Sequence, residues 1–422
     1  TAAENSGGRT TAYGYDASGK MSWIKDNLGR TVQSITYITD PGSENLGKVH
    51  TVTDETGLTS TYEYHPELGE VVVTDSGGRQ TVQRYDNAGN VTEVENAEGM
   101  KTTTEYLLTN GQNRFGEVRA KSDMYGNITT YVRDSRGNVV KTTYPDGSTE
   151  QKTYDEYNNV VRSADRVGAV TYYVYDAEGK RLLKAAKPLD GRSVYSEEAD
   201  QSKFAITSYT YYPDEANGRK GLVHTETGPQ GDSENYTKYE YNTRGNLSRK
   251  TVYTDGEASL WQYTYNSRDK VNREINPDGV NTVYTYNLSD ELTKTTVTSA
   301  DGTETSVQQT VYDGIGRVVK EINPVQTGEA CTVNTYNAKG FLTKTENALG
   351  HEHNYVYDTW GNVYYETLAN GFRYVYSYDS MNRKQTVRTR EQAGELIRPL
   401  QVFAYGQSGC DAKVTTTDAG KE

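Results

Sequence analysis

The chain has 422 residues, of which 33% are hydrophobic and 24% charged, with 37 Tyr against 5 Phe and 3 Trp. This composition excludes a thick aliphatic core, and its Val, Thr and Tyr exclude a disordered polymer, leaving thin, extensive β-sheet with mostly wet surfaces. A net charge of −13 with scattered Lys and Arg argues against nucleic acid or anionic membrane as a partner; no apolar run nears the roughly 18 residues of a membrane span, and residues 1–10 lack a signal-peptide plan, so any export is encoded elsewhere.

From the start of the chain a cadence sets in, Tyr-Asp-x-x-Gly followed by Asn, Lys or Arg, at a favoured spacing of 21 residues. Clear copies stand at Tyr85-Asp86-x-x-Gly89, Tyr175-Asp176-x-x-Gly179, Tyr312-Asp313-x-x-Gly316 and Tyr357-Asp358-x-x-Gly361. A fixed internal period replaces a single core with an array of like units. The leading residue is Asp or Asn at positions 16, 86, 134, 155, 176, 242, 266, 287, 313, 337, 358 and 379, and only Arg133 breaks the preceding row of Tyr. Three residues on, the slot holds Gly, or Asn at 158 and 382, or Asp at 269 and 290. These are the residues that tolerate positive φ, so the motif reads as a type I turn closed by a left-handed bulge residue, with the Asp or Asn side chain accepting a backbone bond. A second turn falls half a unit later, as at Asp26-x-x-Gly29, Asp75-x-x-Gly78, Asn96-x-x-Gly99 and Asn347-x-x-Gly350, so each unit is two short strands.

Tyr pairs at i and i+2, among them Tyr13/Tyr15, Tyr62/Tyr64, Tyr239/Tyr241, Tyr355/Tyr357 and Tyr376/Tyr378, put two rings on one sheet face. Such ladders bury area while leaving hydroxyls free for water or a partner. Tyr37 to Tyr64, Tyr106 to Arg133 and Tyr378 to Tyr405 each span 27 residues, the first through a lengthened turn at Thr39-Asp40-Pro41-Gly42-Ser43-Glu44-Asn45. The largest insertion, about 187–221, gathers Glu197, Glu198, Asp200, Asp214 and Glu215 and reads as exposed loops on one rim of a single continuous array, 1–422. The tail, Val414 to Gly420, reads as a strand and turn leading into another unit, which makes the chain a fragment of something longer.

The repeat resembles the YD repeats of bacterial RHS proteins, of the B and C components of insecticidal toxin complexes, and of the teneurin shell, from about Tyr13 to Tyr405. The resemblance implies an all-β fold: tandem hairpins in a spiralling antiparallel sheet, part of a hollow β-cocoon that encloses a C-terminal toxic polypeptide in a secreted or surface-delivered protein. In many such proteins an aspartyl self-cleavage segment ends the repeats. Asp40-Pro41-Gly42 resembles it only superficially and reads as turn chemistry.

Catalysis finds little support. His351 and His353 flank Glu352 without a third metal ligand nearby, Cys331 and Cys410 suit neither a disulfide framework nor a zinc site, and one carboxylate per turn cannot build a calcium loop. Glycine stretches at Asn5-Ser6-Gly7-Gly8 and Ser76-Gly77-Gly78 open no helix and so form no phosphate loop. The expectation is a non-enzymatic wall without cofactor or metal. Asp86, Gly89, Asp176, Gly179, Asp313, Gly316, Asp358 and Gly361 serve as turn residues, and the enclosed polypeptide is the partner. The alternative is an extracellular adhesion or carbohydrate-binding module in which Tyr355, Tyr357, Tyr376 and Tyr378 face surface glycans.

Overall fold

The computed structural model describes residues 2–4, 10–107, 116–213, 218–229, 231–323, 331–379, 382–390, 398–405 and 412–416. Asn5 to Gly8, Asp214, Glu215 and Cys410 lie outside them. Thirty-five strands and two single-turn 3₁₀ segments, Pro66–Leu68 and Gln201–Lys203, make up the regular structure. Each strand pairs antiparallel with the next in sequence, from Ala2–Glu4 to Ala412–Thr416, in one uncrossed meander. Among the described residues the first strand does not pair with the last, so the sheet is open.

The ladder slips by one residue immediately before the turn at nearly every Tyr of the motif, as between Val174 and Tyr175 or Val356 and Tyr357. This is the bulge that the left-handed slot requires. Gly89 has φ 83°, and four of the five non-glycine residues with positive φ, Asn158, Asp269, Asp290 and Asn382, occupy that same slot.

One sheet cannot bury much. Among the described residues Val72, Ala186, Phe204 and Val387 are some of the few buried side chains, and no large one is fully enclosed. The accessible surface is 25672 Å² for 47.0 kDa, where a compact monomer of that mass exposes about 16,000 Å². A wall, not a globule, has this ratio.

The wall coils. Asn27 Nδ2 donates to the carbonyl of Gly314 at 2.7 Å, 287 residues away, and Arg383 Nη2 meets Glu98 Oε1 at 3.1 Å across 285 residues. The Trp360 indole lies over Gly77, where a Cβ would stand 2.6 Å from Nε1. Each contact sets a mid-unit turn against a Tyr-Asp turn. Between Asp26 and Asp313 lie 23 strands, from Thr31–Tyr37, the fourth, through Thr305–Tyr312, the twenty-sixth. The turn pairs at Asp75 with Asp358 and at Asn96 with Asp379 also enclose 23, so the coil keeps one register. At about 4.8 Å per strand, one coil measures about 110 Å around, or about 35 Å across. That width leaves a lumen.

The 187–221 stretch differs from the expectation of loops on one rim. Phe204–Tyr211 is a strand of the sheet, pairing with Leu182–Pro188 and Val223–Thr227. Residues 189–203 fold back over a sheet face, where Tyr195 meets Phe204 edge-on at 5.2 Å and lies 6.4 Å from Tyr172, while Lys184 holds Glu197 at 2.8 Å. Aromatic burial draws the loop onto the wall.

Candidate functional site

The repeating turn comes first, because it carries the chemistry most often. Asp86 Oδ1 accepts the backbone N–H groups of Ala88 and Asn90, each at 2.9 Å, and its Oδ2 accepts the Asn90 amide at 3.0 Å. The Asn90 side chain and backbone N–H hold this carboxyl below the ordinary aspartate value. Asp313 takes the N–H groups of Ile315 and Arg317 and the Arg317 guanidinium at 2.7 Å. Partial burial works against its charge, but those bonds outweigh it and its pKa is lowered. Asp358 accepts Trp360 and Asn362 N–H groups at 2.9 Å. The turn at Asp176 is one residue longer, closing on the Arg181 carbonyl, with the Lys180 N–H on Asp176 Oδ1 at 2.7 Å. Gly179, Gly316 and Gly361 have φ of 66°, 93° and 83°.

A second recurring bond was not foreseen from the sequence. Twelve tyrosines that end a strand before a turn donate their hydroxyl to the carbonyl of a residue in an earlier strand, as Tyr106 to Val91 at 3.0 Å, Tyr175 to Val160 at 3.2 Å and Tyr286 to Val271 at 2.9 Å. The ladder between Val160–Ala164 and Val170–Tyr175 ends at Arg162 and Tyr172, which leaves the Val160 carbonyl without a strand partner. The phenol supplies one, tying each hairpin to the last. Phe has the ring but not the donor, which accounts for the excess of Tyr. At the exception, Arg133 extends Nη2 to within 3.5 Å of the Val118 carbonyl and Nη1 to Gly137 at 2.8 Å, so a guanidinium takes the phenol's place.

The hydroxyls of the four tyrosines considered as glycan contacts are therefore not free. Tyr357 and Tyr378 donate to the carbonyls of Leu342 and Val363 at 2.7 and 3.0 Å. Tyr376 donates to Glu366, which also meets His353 Nε2 at 2.9 Å, and Tyr355 stacks on His353 at 4.4 Å with its hydroxyl 3.3 Å from Nδ1. Desolvation, then the bond to Glu366, raises the Tyr376 pKa. The same pairing recurs at Tyr239, whose bond to Glu226 at 2.9 Å adds to burial and pushes it up to about 12. His351 precedes the strand Glu352–Tyr357, is exposed, and lines an open cavity of about 420 Å³ together with Glu352 and His353. Among the described residues no group of three or more His, Cys, Asp or Glu could hold a metal.

Nor do the four tyrosines share one site. Tyr376 and Tyr378 line a cavity of about 520 Å³ at the coil seam with Gly77, Arg79, Trp360 and Asn382. Tyr355 and Tyr357 line another, of about 500 Å³, beside Phe341, which stacks on Tyr357 at 4.8 Å. No helix of the described residues is long and apolar enough to cross a membrane.

No family model matches the chain. Double-stranded DNA deaminase toxin A of Burkholderia cenocepacia is 28% identical over 177 residues, which cover 40% of this chain and 11% of that protein. The crystal structure of TcdB2-TccC3-Cdc42 superposes with a TM-score of 0.70 at 14% identity over 97% of this chain and 24% of its own. That of TcdB2-TccC3 without its hypervariable C-terminal region gives 0.68 at 14% identity over 97% and 26%. The chain thus spans about a quarter of these structures and about a tenth of the curated relative. With its Tyr-Asp repeat, open antiparallel coil and nearly full-length superposition on these toxin-complex structures, the chain has the YD-repeat shell fold of RHS-type proteins.

Proposed function

We propose that this chain is a wall segment of an RHS-type shell that encloses a C-terminal toxic polypeptide of a longer, exported protein and shields it until delivery. The carrying observation is the coil seam: three turn-to-turn contacts repeat after 23 strands and complete one winding about 35 Å across. A wall that works by enclosure needs cooperating hairpins and no catalytic residue, and its hydroxyls and turn carboxylates are consumed in holding the hairpins together. Support also comes from the similar structures, TcdB2-TccC3-Cdc42 and TcdB2-TccC3 without its hypervariable C-terminal region, the second of which describes a protein with a variable region at its C-terminus.

The test is limited proteolysis of the longer parent protein, intact and with the seam opened by Gly77→Leu and Arg383→Ala. Protection of a C-terminal piece in the intact particle, lost when the seam opens, is the expected result. Equal cleavage of that piece in both, with the wall folded, would overturn enclosure.

A further inference from the structure

A cation recurs at one place in the unit. Lys20, Lys48, Arg181, Arg317 and Arg383 each close a turn through the backbone carbonyl, and each sends its charge over the ring of the Tyr two strands on. The rings are Tyr37, Tyr64, Tyr211, Tyr336 and Tyr405, at 5.0, 4.8, 5.8, 4.4 and 4.5 Å from charge to ring centre. At two of these turns the leading carboxylate holds the cation from the other side, since Arg317 donates to Asp313 and Arg383 to Asp379, each at 2.7 Å. The guanidinium there lies between a carboxylate and a phenol ring.

The turn at Asp358 has the same frame but a different closing residue. Asn362 closes it, and the Tyr378 hydroxyl reaches the Val363 carbonyl just as that of Tyr336 reaches Val318 and that of Tyr405 reaches Lys384. Among the described residues no cation lies over the Tyr378 ring, and Asp358 has no cationic partner. Asp358 and Tyr378 instead line the seam cavity of about 520 Å³, together with Trp360 and Tyr364, which are 42% and 51% exposed. That volume is typical of a small-molecule site. The other charges of the lining are matched, Arg79 by Asp75 at 2.5 Å and Asp379 by Arg383, so the Asp358 carboxylate sets the charge that a ligand meets.

We propose that this cavity binds a small N-methylated organic cation, a quaternary ammonium of the choline class, in the position that arginine takes beside Asp313 and Asp379. The carboxylate and the aromatic rings select positive charge. The polar groups of the lining are already engaged: Asp358 accepts the N–H groups of Trp360 and Asn362 and the Asn362 amide, Tyr376 donates to Glu366, Tyr378 to Val363, and Ser377 shares a proton with Thr386 at 2.7 Å. A guanidinium or primary ammonium would leave N–H groups unmet, whereas a quaternary nitrogen has none to satisfy. The site is independent of any enclosed polypeptide and goes beyond the shell reading.

The probes are choline chloride, its neutral tert-butyl analogue and phosphatidylcholine vesicles, with binding read by tryptophan fluorescence for the solutes and by co-sedimentation for the vesicles. In solution choline should bind at least tenfold more tightly than the neutral analogue. Asn362→Arg, which supplies the guanidinium found beside Asp313 and Asp379, should lower choline affinity at least tenfold. Asp358→Asn, which installs the head residue of the turns at Asn242 and Asn266, should bring choline and its analogue within about twofold of each other. Both variants should unfold at the native temperature. Binding of choline itself assigns a free solute, and binding of vesicles alone, lost in Asn362→Arg, assigns a lipid headgroup. No binding in either arm, equal affinity of the native chain for choline and its analogue, or binding unchanged in Asn362→Arg would each overturn the assignment.

Discussion

Two stretches of the same sheet face, built from the same unit, carry opposite chemistry. Between residues 70 and 106 the face holds Glu70, Glu93 and Glu95, drawn together by Arg84 and Lys101, with Glu105 near Arg119 at 3.8 Å: Arg84 meets Glu70 at 3.2 Å and Glu95 at 2.9 Å, and Lys101 meets Glu93 at 2.9 Å. Between residues 139 and 346 it holds a basic row, Lys141, Arg162, Arg249, Arg273, Lys294, Lys320 and Lys344, each seven residues after the head of its turn. Glu93 stands seven residues after Asp86 just as Lys141 stands seven after Asp134, so one backbone position accepts either sign. The fold permits this because its stability comes from turn carboxylates, phenol bonds and ladders, leaving side chains on this face free to vary.

Acid should separate the two stretches most. The pKa of Glu93 is lowered chiefly by its bond to Lys101 and that of Glu95 by its bond to Arg84. A depressed folded value means that their contribution is complete above the ordinary glutamate value of 4.5 and is lost as pH falls through the folded one. The turns at Asn242, Asn266 and Asn287 have amide heads that do not titrate, and the row beside them stays charged. Hydrogen exchange, corrected for intrinsic rate, should show Val91–Glu95 and Lys101–Tyr106 opening as pH falls below the ordinary glutamate value while Val271–Ile275 and Leu292–Thr298 stay protected. Simultaneous opening would show that the two stretches unfold as one.

Next in size is a charge swap. Glu93→Lys with Glu95→Lys would leave four cations together and should cost about 2 kcal/mol at low salt, shrinking as salt is added, measured by chemical unfolding. A smaller and equal effect is expected where the stretches share a device. Tyr106→Phe and Tyr286→Phe each leave a strand carbonyl unpaired, and each should cost about 1 kcal/mol; a clear inequality would mean that the face and the ties are coupled. Smallest is Lys294→Ala, within about 0.5 kcal/mol by the same unfolding measurement, because among the described residues its ammonium makes no hydrogen bond or ion pair.

The local part of this structure was legible in the sequence. The slot that accepts only Gly, Asn or Asp announces a left-handed residue, and Asn158, Asp269, Asp290 and Asn382 hold φ between 60° and 66° there. The role of the phenol was half legible: the Tyr pairs mark a shared face, but the carbonyl at Val160 becomes vacant only where the ladder stops. The basic row could have been found by aligning the units on their turns and reading seven positions on. The seam could not, because Trp360 over Gly77 joins residues whose neighbourhood depends on how far each of 23 strands turns the next. The fold-back of Tyr195 onto Phe204 escaped for a related reason, since an acidic, proline-flanked segment reads as solvated until the aromatic surface beneath it is known.

The seam is also directional. Every Tyr-Asp turn lies on one margin of the ribbon and every mid-unit turn on the other, and the contacts at Asn27 with Gly314 and Glu98 with Arg383 always join unlike margins. Such a joint is heterologous, the geometry of a screw thread and not of a ring of self-complementary pieces. Each added winding presents the same two margins that it consumed, so the joint itself sets pitch and handedness but never length. Whatever halts a thread of this kind must differ chemically from the thread.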